Sequence, residues 1–185
     1  EIVTQIQVQH PNILPILGVS CSEDYPLSIV APLAANGNAL RYLNRLDPPQ
    51  RPFPFQIRHL ASALVYLHGM LPPLIHGDVD PRNILVDDAG NGLLSDFGLS
   101  RIKHEPTRTA TVIVSGGKYR YLAPELLRVL TASGPGPFRT TAASDCYAFG
   151  MTFFELATLQ KPFSEYGSEW EVSNAAMHGR QPEYP

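Results

Sequence analysis

His76-Gly77-Asp78-Val79-Asp80-Pro81-Arg82-Asn83, followed further along by Asp96-Phe97-Gly98, is the stretch that decides how this chain folds. Between the two lie Ile84, Leu85 and Val86, then Asp87-Asp88-Ala89-Gly90-Asn91-Gly92, then Leu93 and Leu94. Short apolar runs on either side of a turn-rich segment read as a β-hairpin. A hairpin brings its open ends together, so Asn83 before the first strand and Asp96 after the second become neighbours. An amide oxygen and a carboxylate are hard donors that suit Mg²⁺, which takes one or two protein ligands and completes its shell with phosphates and water. Asp78 lies five residues before Asn83, within reach of a substrate held at that metal. The arrangement is a carboxylate base beside a metal-bound phosphate.

Outward from the hairpin, helical period governs Ile57, Leu60, Ala61, Leu64 and Leu67, with Gly69 where a helix C-cap falls. Leu40, Leu43 and Leu46 predict a shorter helix after the Asn36-Gly37 turn, and residues 14–19 and 27–31 read as a strand pair. An opening helix is expected over residues 1–9. Downstream, residues 99–118 and 133–137 read as loops, and residues 142–158 as a helix apolar almost all round, hence interior. The expected class is α+β: a small stranded part, residues 1–33, a linker at 34–37, and a mostly helical part, residues 38–185. A ligand site between two such lobes follows from that geometry.

The 185 residues are 44% hydrophobic and 17% charged, a mix that supports a packed core rather than a disordered tail. The formal charge of −3 gives no bulk basic character, so nucleic acid is not an expected partner. Two cysteines, Cys21 and Cys146, cannot build a disulfide framework. No apolar run approaches a bilayer span and no signal-peptide pattern opens the chain. The expectation is a cytoplasmic protein with no membrane partner; composition leaves the oligomeric state open.

Taken singly, each motif has a structural explanation: Asp-Phe-Gly is a common turn tripeptide, His76 a packed histidine, Asn83 a strand-entry residue. Together, H-x-D-x-x-x-x-N, D-F-G and Ala123-Pro124-Glu125 occur in the order of the protein-kinase signatures, and Asp145-x-x-x-Phe149-Gly150 follows on the apolar helix. The chain therefore resembles the eukaryotic protein-kinase domain over essentially its whole length, closest in wording to a tyrosine-kinase-like branch seen in fungi. The resemblance implies that Asp78 accepts or orients the proton of a protein Ser, Thr or Tyr hydroxyl, and that Asn83 and Asp96 hold Mg²⁺ on the phosphates of ATP. It implies Ala31 as gatekeeper, backbone contacts from Pro32 and Ala34 to adenine, and Leu85 as the floor beneath the ring. Asp145 would brace the loop around His76. Glu1 would be the αC glutamate, Phe97 the Phe of D-F-G, and Glu125 an anchor of the activation segment, with Thr107, Thr109, Thr111 and Ser115 as candidate phosphosites.

Departures from the pattern are equally specific. No Gly-rich loop or strand-three lysine occurs, which favours a fragment and implies weak nucleotide binding by the chain as it stands. Gly77 replaces the loop arginine, and Gln5 is polar where an apolar spine residue is expected. Asp80 stands where the catalytic-loop lysine belongs; at ~4 Å a like charge repels by ~4 kcal/mol at an effective dielectric of ~20. A Lys118–Asp80 pair would cancel that charge and leave Arg82 for the phosphate. The alternative reading is a pseudokinase, a non-catalytic binding or scaffold domain.

Overall fold

Residues 8–21, 28–47, 53–96, 101–102, 117–131 and 138–185 are described by the computed structural model, for 53–56 and 101–102 at the level of the backbone. Most of the opening helix lies outside these residues, as do Glu1, Gln5, Phe97 and the four candidate phosphosites.

Gly18–Ser20 (β1) and Ser28–Val30 (β2) pair antiparallel, with Gly18 opposite Val30. The expected strand pair is present but each member is trimmed to three residues. Its apolar side chains find little to cover them: Val19 and Ile29 are about half exposed. Next come Ala39–Asn44 (α1), capped by the Asn38 side chain, which accepts from Arg41 N–H at 2.9 Å, and Phe53–His68 (α2). Gly69 ends α2 for lack of room rather than for a left-handed backbone. A Cβ there would stand 3.1 Å from the Val65 carbonyl oxygen.

Leu74–Ile75 (β3) leads into the loop that carries His76. Ile84–Val86 (β4) and Gly92–Leu94 (β5) form the hairpin, Ile84 opposite Leu94. Asp87 organises its turn. Oδ1 accepts from Ala89 N–H (3.0 Å) and Asn91 N–H (2.7 Å), while Gly90 supplies the required positive φ of 85°. A pairing the sequence analysis missed joins β3 to Arg101–Ile102 (β6), antiparallel, Leu74 opposite Ile102. Two residues inside a polar, Thr-rich stretch are too short for any alternation to register.

The remaining helices are Pro124–Thr131 (α3), Ala142–Thr158 (α4) and Glu169–Met177 (α5). Thr141 and Ser144 form a reciprocal capping box at the start of α4, and Ser168 and Glu171 do the same for α5. One core runs through α1, α2, the hairpin and α3, with Leu43, Leu60, Leu67, Ile84, Leu94, Leu127, Phe138 and Phe163 among its most buried members. The expectation that α4 is wholly interior needs correcting. Ala148, Met151 and Leu156 are buried, but Phe153 is 44% exposed and Cys146 and Gly150 face outward. The two acids on its buried side, Asp145 and Glu155, are what composition alone did not flag as interior.

Candidate active site

The loop from His76 to Asn83 is held from below by α4. Asp145, 1% exposed, accepts His76 N–H on Oδ2 (2.9 Å) and Gly77 N–H on Oδ1 (2.8 Å). His68, the last residue of α2, reaches the same Oδ2 at 2.9 Å. A carboxylate in the first turn of a helix is favoured by the helix dipole, so burying it there costs less than elsewhere in the core. His76 is fully buried. Its Nδ1 accepts Asp78 N–H (3.2 Å), which assigns the proton to Nε2, 3.0 Å from the Ser95 carbonyl. One imidazole thus ties the start of the loop to the far end of the hairpin.

Gly77 adopts φ +77°, a left-handed conformation. In the sequence it stands out only as a missing arginine; the backbone adds a second reason for glycine. Gly77→Ala is expected to lower unfolding free energy by about 1 kcal/mol, the usual cost of a Cβ in that region. A urea midpoint equal to the wild type's would contradict it.

Asn83 closes the loop. Its Nδ2 donates to the Asp78 carbonyl (2.8 Å) and to Asp78 Oδ2 (3.1 Å), which turns the amide oxygen to the opposite side. Ser95 N–H and Oγ–H both donate to the Asn83 carbonyl, at 2.8 and 3.1 Å, so Asp96 follows directly after the residue clamped to Asn83. Asp96 is exposed and left-handed, φ 59°, a backbone that Asp tolerates better than most residues. The structure therefore brings Asp78, Asn83 and Asp96 to the open end of one hairpin. The Asn83 amide oxygen and the Asp96 carboxylate are hard oxygen donors, the chemistry that Mg²⁺ takes. Among the described residues no cluster of three or more His, Cys, Asp or Glu side chains is placed to bind a metal, and Mg²⁺ with phosphates needs fewer.

The charges pair differently from expectation. Lys118 does not meet Asp80. Its Nζ lies 2.5 Å from Asp78 Oδ2. Asp80, 2% exposed, is instead gripped by Arg82, with Nε to Oδ1 at 3.1 Å and Nη2 to Oδ2 at 2.7 Å. The same Oδ1 caps the 3₁₀ turn Pro81–Asn83 by accepting Arg82 N–H at 2.7 Å. Two residues' separation and a planar guanidinium make this fork the short-range solution. A lysine forty residues along the chain reaches Asp78 only because the segment before α3 folds back over the loop. Arg82 is thus not left for a phosphate, as the Lys118–Asp80 pairing would have required.

That segment is anchored on both sides. Arg120 Nη1 donates to the Pro162 and Phe163 carbonyls (2.7 and 2.6 Å), and the buried Tyr121 hydroxyl donates to Glu155 Oε2. This Tyr–Glu pair was not singled out in the sequence, where two residues on separate elements carry no shared signal. Burial, then the Glu155 carboxyl, pushes the Tyr121 phenol up. Burial also raises Glu155 above the ordinary glutamate value, outweighing the Tyr121 hydrogen bond and Lys161. Because the folded chain holds that proton more tightly, stability is fully present below the unfolded pKa of about 4.3 and declines as pH rises through the raised value. Glu155→Gln is expected to lose that decline, so its urea midpoint gains on the wild type's between pH ~4 and pH ~8; a constant difference would contradict the assignment.

On the side assigned by resemblance to adenine, the structure ties the end of the linker to the strand that carries Leu85. Val86 N–H donates to the Gly37 carbonyl (2.8 Å), and Asn38 bridges to Leu85, so the linker runs along β4. Ala31, Ala34 and Leu85 are half-buried and Pro32 is exposed. Glu125 is exposed in the first turn of α3, where, after burial, it is the second cause lifting the Tyr147 phenol to about 12.

A family model described as protein tyrosine and serine/threonine kinase matches residues 1–185. The chain is 36% identical over 171 residues to a probable L-type lectin-domain containing receptor kinase V.3 of Arabidopsis thaliana, covering 88% of this chain and 24% of that protein. It is 34% identical over 161 residues to the L-type lectin-domain containing receptor kinase V.5 of the same plant, covering 84% and 23%. Receptor-interacting serine/threonine-protein kinase 2 of Bos taurus is 31% identical over 179 residues, covering 92% and 32%. The chain thus spans at most about a third of the length of these relatives.

Proposed function

The chain belongs to the protein tyrosine and serine/threonine kinase family, and from that premise we propose that it transfers the γ-phosphate of ATP to a hydroxyl of a protein substrate, Ser or Thr before Tyr. The single observation that carries the proposal is the convergence of Asp78, Asn83 and Asp96 at one hairpin end. The substrate hydroxyl oxygen bonds to the γ-phosphorus as the bridging P–O bond breaks, the electron pair leaves on ADP, and Asp78 takes the hydroxyl proton. Among the described residues no donor holds Asp78 Oδ1, because both of its side-chain partners lie on Oδ2. Oδ1 is the oxygen proposed to face the hydroxyl.

Asn83 and Asp96 would hold Mg²⁺, whose role is to neutralise phosphate charge. Pro32 and Ala34 would meet adenine through the backbone, with Ala31 behind it and Leu85 below. Asp145 and His76 position the loop and touch no substrate. Glu1, Phe97 and Glu125 keep the roles the resemblance implies. A cytoplasmic setting is the one proposed, and among the described residues no helix is long and apolar enough to cross a membrane.

One ground for a scaffold reading was the unbalanced charge of Asp80, and the Arg82 fork removes it. The test is transfer of labelled γ-phosphate from Mg·ATP by the intact protein to a mixed Ser/Thr/Tyr peptide library. Label on serine and threonine peptides is the expected result; nucleotide binding without any transfer would instead establish the scaffold.

A further inference from the structure

We propose that Lys118 is the cation of the transfer site, supplying from the end of the activation segment the positive charge that the catalytic loop commits to Asp80. This rests on the kinase reading above and adds a catalytic residue to it.

A phosphoryl group in flight spreads negative charge over its oxygens, and a fixed cation beside the base lowers the barrier in proportion to how well it is preorganised. Between His76 and Asn83 the loop holds two carboxylates, Asp78 and Asp80, and one permanent cation, Arg82. Arg82 grips Asp80 through two nitrogens, and Asp80 is 2% exposed. Releasing that fork to a phosphate would leave a buried carboxylate without its counter-charge, which is strongly unfavourable. Arg82 is therefore committed to the loop.

Lys118 is placed differently. Its Nζ touches Asp78 Oδ2, yet its side chain remains 27% exposed. An ammonium has three protons, and Asp78 uses one of them. The segment that delivers it is anchored: after Gly117, at φ 83°, residues 118–120 form a 3₁₀ turn, and the Arg120 and Tyr121 side chains bond to Pro162, Phe163 and Glu155. Lys118 lines one pocket with Gly77, Asp78, Asp80, Tyr121 and Ser144. Throughout the transfer Lys118 gives one N–H to Asp78 Oδ2 and another to a non-bridging oxygen of the moving phosphoryl group, and it exchanges no proton.

The experiment compares the intact protein with K118T, K118R and the swap D80K/K118T. K118T is expected to lower kcat about 100-fold, a loss far larger than the several-fold rise expected in the KM for ATP. K118R, keeping the charge, retains most of the rate, and the swap recovers part of the loss. Calorimetry gives a readout independent of turnover: K118T binds ADP as the wild type does but loses several-fold of its preference for ATP over ADP. A K118T rate equal to the wild type's would sink the assignment and leave the kinase reading standing. A K118T rate above it would overturn the assignment in favour of a lock on Asp78. A wild type that transfers no phosphate, while K118T still loses its ATP preference, would sink the kinase reading and keep the placement of Lys118.

Discussion

Asp78→Asn lowers kcat of the intact protein by about 1,000-fold while the KM for ATP moves only a few-fold, the pattern of a group needed only in the transition state. Asparagine is nearly isosteric with aspartate, so its side-chain oxygen can still accept from Asn83 Nδ2 and the loop keeps its shape. What it lacks is the negative charge and the basicity. The amide cannot take the hydroxyl proton, and Lys118 keeps only a neutral acceptor where the carboxylate 2.5 Å away had aimed it. The measurement is steady-state kinetics at saturating Mg·ATP, with thermal unfolding of the variant as a check that it is folded. A rate within tenfold of the wild type's would remove Asp78 from the chemistry and with it the proposed function.

Asp145→Ala carries the largest expected stability effect. The carboxylate accepts two backbone N–H groups and the His68 ring from a site with 1% exposure. Truncation leaves two N–H groups without acceptors in the interior, each costing about 1–3 kcal/mol, and a small cavity besides. The sum is a loss of about 3–5 kcal/mol, seen as a lower urea midpoint at unchanged m-value. Because Gly77 and His76 are the groups released, the loop carrying Asp78 loses its registration too. Turnover should therefore fall even at temperatures where the variant is folded. A midpoint shift below about 1 kcal/mol would mean that water replaces the carboxylate at no cost, and that α4 does not brace the loop.

The hairpin and its flanks were legible because the code is local. Asp87, Gly90 and Asn91 are strong turn formers, and the apolar runs beside them pair in register. Asn83 and Asp96 then converge by covalent connectivity. The helices at 53–68 and 142–158 were legible through periodicity and length, although α4's exposed Phe153 shows that an apolar stretch specifies a helix better than it specifies its surroundings. β6 and the Tyr121–Glu155 pair left no trace in the sequence, since each joins elements whose separation follows no period.

From sequence alone came the α+β class, the hairpin, the order of the motifs and the identity of the three polar groups at its open end. Which cation meets which acid was decided only in three dimensions. Spacing permitted Lys118 to reach Asp80, but Arg82, two residues from Asp80, gets there first, and the folding back of residues 118–121 delivers Lys118 to Asp78. The physical reason is range. Turns and helices form from contacts a few residues apart, whereas Coulomb pairing among several nearby charges depends on distances that only the packed chain fixes.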